Sequence, residues 1–211
     1  MVLAPTIEAV SAALVVLSLW MIGISQYVTS VRLFAVQSIT LGALAAYIGM
    51  SKGEPMMIVV GIAVAIFKGG AVPSYLAFAG RKIGCRNDSS LSIAPPLQIF
   101  LAGSVVAFLS LSHPFRGELP ATAIPCLDIL LIGMLLMVTR RLALSQIIGF
   151  LVIENGIFLY TISQTYGMPV LVELGVLMDV LAITMLAGLL VYRISSTFEH
   201  VDVTKMKELK G

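Results

Sequence analysis

Five ionisable residues lie within or beside long apolar stretches of this chain. Lys68, Glu154 and Asp179 lie near the centres of such stretches, and Asp128 and Glu173 lie nearby. A charge at the middle of a bilayer costs roughly 2.5–3.5 kcal/mol on insertion scales, so a residue of this kind is usually retained because it faces protein or water and acts there. In a membrane that action is usually the movement of protons or other ions, and we predict an ion pathway that uses these five residues.

Helical spacing predicts that three of these charges share one depth. Lys68, Glu154 and Asp179 each lie 13 or 14 residues from a basic residue at the end of the same stretch. At about 1.5 Å per residue, that distance is about 20 Å from one membrane surface. Asp128 lies slightly closer to that surface, and Glu173 lies nearer the opposite one. The spacing therefore predicts a layer of acid and base within the membrane.

The third apolar stretch carries a predicted helix break beside Lys68. Gly69 and Gly70 weaken the helix, and Pro73 has no N–H to donate to the carbonyl of residue 69. We predict a kink at this point, which would leave room for water or for a neighbouring helix next to the lysine.

A purely structural use of the same charges is the alternative. Lys68 would then form a buried salt bridge that holds helices in register, and Asp179, Glu154 and Asp128 are all possible partners. Glu154 is the strongest candidate for the ion pathway. It precedes Asn155 and a glycine, a polar and small pair that indicates a helix–helix contact rather than a lipid-facing surface.

The composition predicts the fold class, an all-α integral membrane protein. Hydrophobic residues make up 59% of the chain, charged residues only 11%, and the mean hydropathy is +1.04. Soluble domains carry about 25% charged residues. Seven apolar stretches are long enough to cross a bilayer. They cover residues 5–24, 32–50, 55–80, 94–112, 120–139, 142–164 and 168–192.

The basic residues predict how these spans are oriented. With the N-terminus outside, ten of the 13 Lys and Arg residues fall on the cytoplasmic side. Only Lys52 and Arg116 fall outside, and Lys68 lies within the membrane. An even number of spans would break this pattern, so we expect seven spans and a cytoplasmic C-terminus. No Lys or Arg precedes Arg32, and we therefore expect the first span to be retained rather than cleaved as a signal peptide.

A short motif recurs in the two halves of the chain. Arg32-Leu33 with Gln37 in the second span is repeated as Arg141-Leu142 with Gln146 in the sixth. Because three crossings invert the chain, two units of equal orientation need one extra span between them. We therefore predict a three-helix unit at 1–92, a connecting span at 93–118, a second three-helix unit at 119–198 and a cytoplasmic tail at 199–211.

The sequence lacks the signals that are typical of several function classes. Cys85 and Cys126 are far apart and His113 and His200 fall in predicted loops or tails, so we expect no metal or iron–sulfur site wholly within this chain. No nucleophile–base constellation or phosphate-binding loop is present, so we expect no active site of its own. The expected partners are the lipid bilayer and other membrane proteins, not nucleic acid.

Four short motifs occur together in this chain. They are Ala35-Val36-Gln37-Ser38, Phe67-Lys68 with Val72-Pro73, Gly149-Phe150 with Glu154-Asn155-Gly156, and Glu173-Leu174-Gly175 with Asp179. In combination they resemble the hydrogenase-4 component E family, and the resemblance covers essentially the whole chain. It implies a membrane subunit of a membrane-bound nickel–iron hydrogenase or formate hydrogenlyase-type complex in the prokaryotic inner membrane.

The second half of the chain carries a further resemblance. Residues from about 125 to 211 are similar to the K subunit of respiratory complex I and to the C-type subunit of multisubunit cation/proton antiporters. Two membrane glutamates of those proteins correspond by motif to Glu154 and Asp179. The first half departs from that pattern, because small residues near Ala45 stand where a glutamate is expected and the third span carries Lys68.

The resemblance implies that hydrogen chemistry occurs on other subunits. The nickel–iron and iron–sulfur centres would belong to a hydrogenase module on the cytoplasmic side, and antiporter-like subunits would be neighbours within the membrane. This chain would contribute charged residues to a proton or ion pathway coupled to that chemistry. Two alternatives stay open: a subunit of a multisubunit cation/proton antiporter or NADH dehydrogenase, and a purely structural membrane adaptor.

Overall fold

The computed structural model of the chain describes residues 3–82, 94–111, 120 and 122–165, and every regular element in this part is helical. Apolar side chains dominate all the helices, and each helix satisfies its own backbone, as a membrane requires. The elements are α1 (Leu3–Gly23), α2 (Tyr27–Lys52), α3 (Pro55–Ile66), a π turn (Phe67–Ala71), α4 (Val72–Lys82), α5 (Pro95–Leu111), α6 (Ala123–Thr139) and α7 (Ala143–Thr165).

Four helical segments of the described chain are long and apolar enough to cross a membrane, and α5 and α6 are shorter apolar helices. The segment formed by α3, the π turn and α4 counts as one of the four. Six of the seven predicted spans thus coincide with helices, and the all-helical prediction is confirmed. The seventh predicted span, at 168–192, lies outside the described residues, so the count of seven stays a prediction.

Contacts at the helix ends show that α1 and α6 end at the same surface and that α6 and α7 run in opposite directions. The Arg140 guanidinium, at the end of α6, donates from Nη2 to the carbonyl oxygens of Met21, Ile22 and Ile24 at 3.2, 3.3 and 2.6 Å, and so caps the C-terminal end of α1. At the opposite surface, Gln164 near the end of α7 donates to Thr122 just before α6. A cation at a helix C-terminus is favourable because it meets carbonyls that have no partner in the helix.

Two pairs of glycines let neighbouring helices approach closely. Gly42 of α2 faces Gly61 of α3, and a Cβ added at either would lie 2.6 Å from the other's carbonyl oxygen. Gly133 of α6 and Gly149 of α7 face each other in the same way, with corresponding distances of 2.9 and 3.0 Å. Small residues at helix crossings are typical of membrane bundles, where packing rather than hydrophobicity drives association.

The surface of the described bundle is apolar and its interior carries polar groups. Trp20, Phe100 and Phe108 expose 61%, 69% and 68% of their surface, whereas Gln37 and Asn155 are almost wholly buried. This arrangement matches a protein surrounded by lipid tails, in which polar side chains avoid the outer surface.

The two glutamines of the recurring motif occupy different positions in the bundle. Gln37 lies deep within α2, whereas Gln146 lies in the first turn of α7, where its amide donates to the Arg140 carbonyl at 2.8 Å. The division into two three-helix units and a connecting span stays a prediction.

Candidate functional site

A buried ion pair joins the third apolar segment to α7. The Lys68 Nζ atom lies 3.2 Å from Oε2 of Glu154, and the two side chains are 6% and 4% exposed. Both residues sit near the middle of their helical segments, as the predicted charge layer requires. Of the three acids that the sequence left open as partners of Lys68, the described structure pairs it with Glu154.

Lys68 lies within the π turn, which forms at the position where the sequence predicts a helix break. The Val72 N–H closes the turn by donating to the Phe67 carbonyl, five residues back. Pro73 follows directly and cannot donate a backbone hydrogen bond, while the Ser74 hydroxyl donates to the Gly70 carbonyl at 2.7 Å. Single π turns within α-helices occur frequently at functional sites.

Gly69 brings the π turn against α2. A Cβ at this position would overlap Cγ1 of Ile39, so only glycine allows the turn to lie so close to α2. Gly70, by contrast, has open space where a Cβ would lie. The two glycines that the sequence singled out together therefore have different roles, and Gly69 alone sets the contact next to Lys68.

Asn155, which follows Glu154, anchors α7 to α2. Its Nδ2 donates to Gln37 Oε1 and to Ser38 Oγ, each at 3.2 Å. All three side chains are at most 1% exposed. Hydrogen bonds between membrane helices average about 0.6 kcal/mol, so their value lies as much in fixing geometry as in stability.

The same network continues from α2 to α1. Gln37 Nε2 donates to Ser18 Oγ at 2.8 Å and lies 3.4 Å from the Leu14 carbonyl oxygen, to which the Ser18 hydroxyl also donates. The sequence motifs contain Gln37, Ser38 and Asn155, but they do not include Ser18. A serine buried in an apolar helix resembles the small residues at helix contacts, so the sequence carried no separate signal for Ser18.

Some buried acceptor atoms have no hydrogen-bond partner within the described ranges. Oδ1 of Asn155 on α7 and Oδ1 of Asp128 on α6 are among them. Asp128 is 3% exposed, so this acid is buried within the bundle. Buried acceptors of this kind are the groups to which internal water molecules bind.

Two predicted site residues are not covered by the described structure. Glu173 and Asp179 lie outside the described residues, so the structure leaves their predicted roles open. Among the residues that the structure covers, no three His, Cys, Asp or Glu side chains lie close enough to hold a metal ion.

The arrangement combines an acid and a base in an apolar interior. Lys68 and Glu154 neutralise each other as long as both are charged. A proton gained by Glu154, or lost by Lys68, would leave one charge uncompensated, and an isolated charge in such a place is costly. The pair can therefore couple a proton transfer to the movement of another charge nearby.

Comparison with known proteins identifies relatives over most of the chain. The uncharacterized protein Rv0085 of Mycobacterium tuberculosis is 30% identical over 186 residues, which cover 85% of this chain and 84% of that protein. Hydrogenase-4 component E of Escherichia coli K12 is 28% identical over 200 residues, or 92% of each chain, and the protein of the same name from Shigella flexneri matches equally. No family model matches the chain, and no solved structure shows significant similarity.

The matches leave little of either chain uncovered. They agree with the resemblance to the same family that the four motifs carry. On these grounds the chain belongs to the hydrogenase-4 component E family.

Proposed function

We propose that this chain is a membrane subunit of a membrane-bound nickel–iron hydrogenase complex of the formate hydrogenlyase type, in a prokaryotic inner membrane. Its role is to contribute buried charges to a proton or ion pathway. Hydrogen chemistry, with nickel–iron and iron–sulfur centres, belongs to partner subunits. The family membership supports the kind of complex, and the buried Lys68–Glu154 pair is the observation that carries the pathway role.

The proposed mechanism is an electrostatic relay. A proton that arrives at the Glu154 carboxylate neutralises it and leaves the Lys68 ammonium without its counter-charge. In an apolar interior this charge repels other cations over a longer range than it would in water, because the local dielectric constant is low. The next proton along the line, on a neighbouring acid or subunit, is thereby expelled. Asp128, Glu173 and Asp179 are the proposed further positions on this line.

The first experiment compares Glu154→Gln with the double variant Lys68→Gln/Glu154→Gln. Removing one partner of a buried pair costs roughly 3–5 kcal/mol because it leaves the other charge uncompensated, whereas removing both charges leaves no uncompensated charge. We expect the single variant to weaken assembly and the double variant to assemble normally. Both should lose proton movement by roughly 100-fold or more, as expected when a positioned proton-transfer group is removed. The measurement is dye-reported proton movement in vesicles that contain the purified complex, driven by hydrogen turnover.

Glu54→Gln is the matched control, because Glu54 is exposed in the turn between α2 and α3. It should leave assembly and proton movement unchanged. A purely structural adaptor predicts a different pattern: the double variant would then recover both assembly and proton movement. That result would replace the pathway role by the structural one.

The second candidate is a subunit of a cation/proton antiporter or NADH dehydrogenase, which the similarity of the second half to K-type and C-type subunits favours. Affinity purification through a C-terminal tag, in mild detergent from native membranes, separates the two. A nickel-containing large subunit with hydrogen-evolving activity in the eluate supports the proposal. Antiporter or NADH dehydrogenase subunits without nickel would move the chain to this second class.

A further inference from the structure

Three consecutive residues of α2 contact both elements that carry the ion pair. Gln37 and Ser38 accept the two hydrogen bonds from Asn155, the neighbour of Glu154. Ile39 packs against Gly69, the neighbour of Lys68, with no room for a Cβ between them. In the π turn, the residue after Lys68 contacts α2. In α7, the residue after Glu154 contacts α2.

The packing of the helices makes α2 the common support. Helix α2 packs against both the π turn and α7, whereas the π turn and α7 have only sparse direct contacts. The ion pair thus spans two elements that do little to hold each other. Both contact the same short segment of α2.

We propose that Gln37, Ser38 and Ile39 are positioning residues, which hold Lys68 and Glu154 at ion-pair distance. This inference rests on the proposed function. Successive residues of a helix point about 100° apart, so fixing one side chain against α2 also fixes the direction of the residue before it. Hydrogen bonds fix Asn155 on one side, and steric contact fixes Gly69 on the other. Both constraints end on adjacent positions of one rigid helix.

The hydrogen-bonded side of this support is itself anchored. Gln37 donates onward to Ser18 of α1, and the Ser18 hydroxyl donates to the Leu14 carbonyl at 2.9 Å. The donors run in one direction, from Asn155 through Gln37 and Ser18 to a backbone carbonyl that only accepts. The chain of bonds therefore locks α7 to α2 and α1. Its amide and hydroxyl groups are not ionisable, so proton exchange is assigned to Lys68 and Glu154.

The test uses steric relief between Gly69 and Ile39. Gly69→Ala adds a Cβ that overlaps Cγ1 of Ile39 and pushes the π turn, with Lys68, away from Glu154. Ile39→Ala removes that Cγ1, so the double variant should restore the contact. Gly70→Ala is the matched control for helix propensity, because it makes the same change in the same turn and meets no atom within 4 Å.

The primary readout reports the pair without relying on transport. Infrared difference spectroscopy of the assembled complex follows the carboxyl stretching band of Glu154, which is assigned by its loss in Glu154→Gln. We expect this band to shift in Gly69→Ala, to return in Gly69→Ala/Ile39→Ala and to stay in place in Gly70→Ala. Proton movement should fall roughly 10- to 100-fold in Gly69→Ala and recover in the double variant, as for other small misplacements of reacting groups.

Three results would overturn the inference: a band that stays in place in Gly69→Ala, a shift that Ile39→Ala does not reverse, or an equal shift in Gly70→Ala. If the band shifts and recovers as expected while proton movement stays normal in every variant, α2 positions the pair and the proposed pathway is wrong. Should Gly69→Ala fail to assemble, Ser38→Ala removes one of the two Asn155 acceptors and should give a smaller shift. An unmoved band in Ser38→Ala would then count against the inference.

Discussion

At the scale of residues, the interior of this protein depends on polar groups that satisfy one another. The Lys68–Glu154 pair and the amide network beside it lie at the same level of the bundle, with few contacts to the outside. In lipid, such groups cannot turn to water, so their partners must lie on neighbouring helices. The geometry of these side chains is therefore set by the helices around them.

Gln37→Leu should lower the free energy of unfolding by about 0.6–1.7 kcal/mol, the range measured for hydrogen bonds between membrane helices. The decrease in the free energy of unfolding should be smaller than for a buried polar group left without any partner. In this variant Asn155 still donates to Ser38, and the Ser18 hydroxyl still donates to the Leu14 carbonyl. Unfolding in mixed detergent micelles measures the change.

Gln26→Leu is the control for this substitution. Gln26 is exposed before α2, and its Oε1 accepts only from the Thr29 hydroxyl in the described contacts. It should change the free energy of unfolding by less than about 0.5 kcal/mol, as most surface substitutions do. Equal losses in the two variants would show that the buried network contributes nothing specific.

At the scale of elements, two close helix crossings and one π turn decide which side chains meet. The crossings of α2 with α3 and of α6 with α7 are both built on facing glycines, and the π turn follows the first of them by less than two turns of helix. A close crossing fixes the distance between two helix axes, and the π turn then changes the direction in which Lys68 projects.

Gly61→Ala should destabilise the bundle by about 1–3 kcal/mol, the usual cost of overpacking a close contact. The added Cβ would lie 2.5 Å from the Ala46 nitrogen and 2.6 Å from the Gly42 carbonyl oxygen, and backbone atoms cannot move aside as a flexible side chain can. Gly103→Ala in α5 meets no atom within 4 Å and should be neutral or stabilising by up to about 1 kcal/mol. Thermal inactivation of the purified complex ranks the two variants, and a lower stability for Gly103→Ala would contradict the steric explanation.

At the scale of the whole molecule, alternating crossings place the helix ends at two surfaces. The end of α2 with the start of α3 lies at one surface, and the end of α6 with the start of α7 lies at the other, next to the end of α1. Buried polar groups lie between these surfaces, and apolar side chains face outward. The positive-inside pattern predicts that the surface with Arg140 and Arg141 faces the cytoplasm.

Single-cysteine labelling should reveal this orientation in intact cells. In a background with Cys85 and Cys126 replaced by serine, Ser51→Cys at the end of α2 should react with a membrane-impermeant maleimide. Arg141→Cys should react only after the cells are made permeable. Both positions are exposed in the structure.

Labelling of both cysteines from one side would contradict the alternating crossings, and the reverse pattern would invert the orientation. A reporter fused after Gly211 tests the count of spans in the same cells. It should share the side of Arg141 if a seventh span follows α7, and the side of Ser51 if none does.

The sequence alone predicted the helical membrane class, six of the helices and the buried charges, because hydropathy and the cost of an intramembrane charge are local properties of the chain. It also located the break beside Lys68, because glycine and proline act on their own backbone. Only the tertiary structure decided that Lys68 pairs with Glu154, that the break is a π turn, and that Ser18 and Ser38 belong to the network. These features depend on which faces of distant helices meet. The meeting faces are set by packing around glycines and by Gln37, Ser38 and Ile39 of α2, rather than by spacing along the chain.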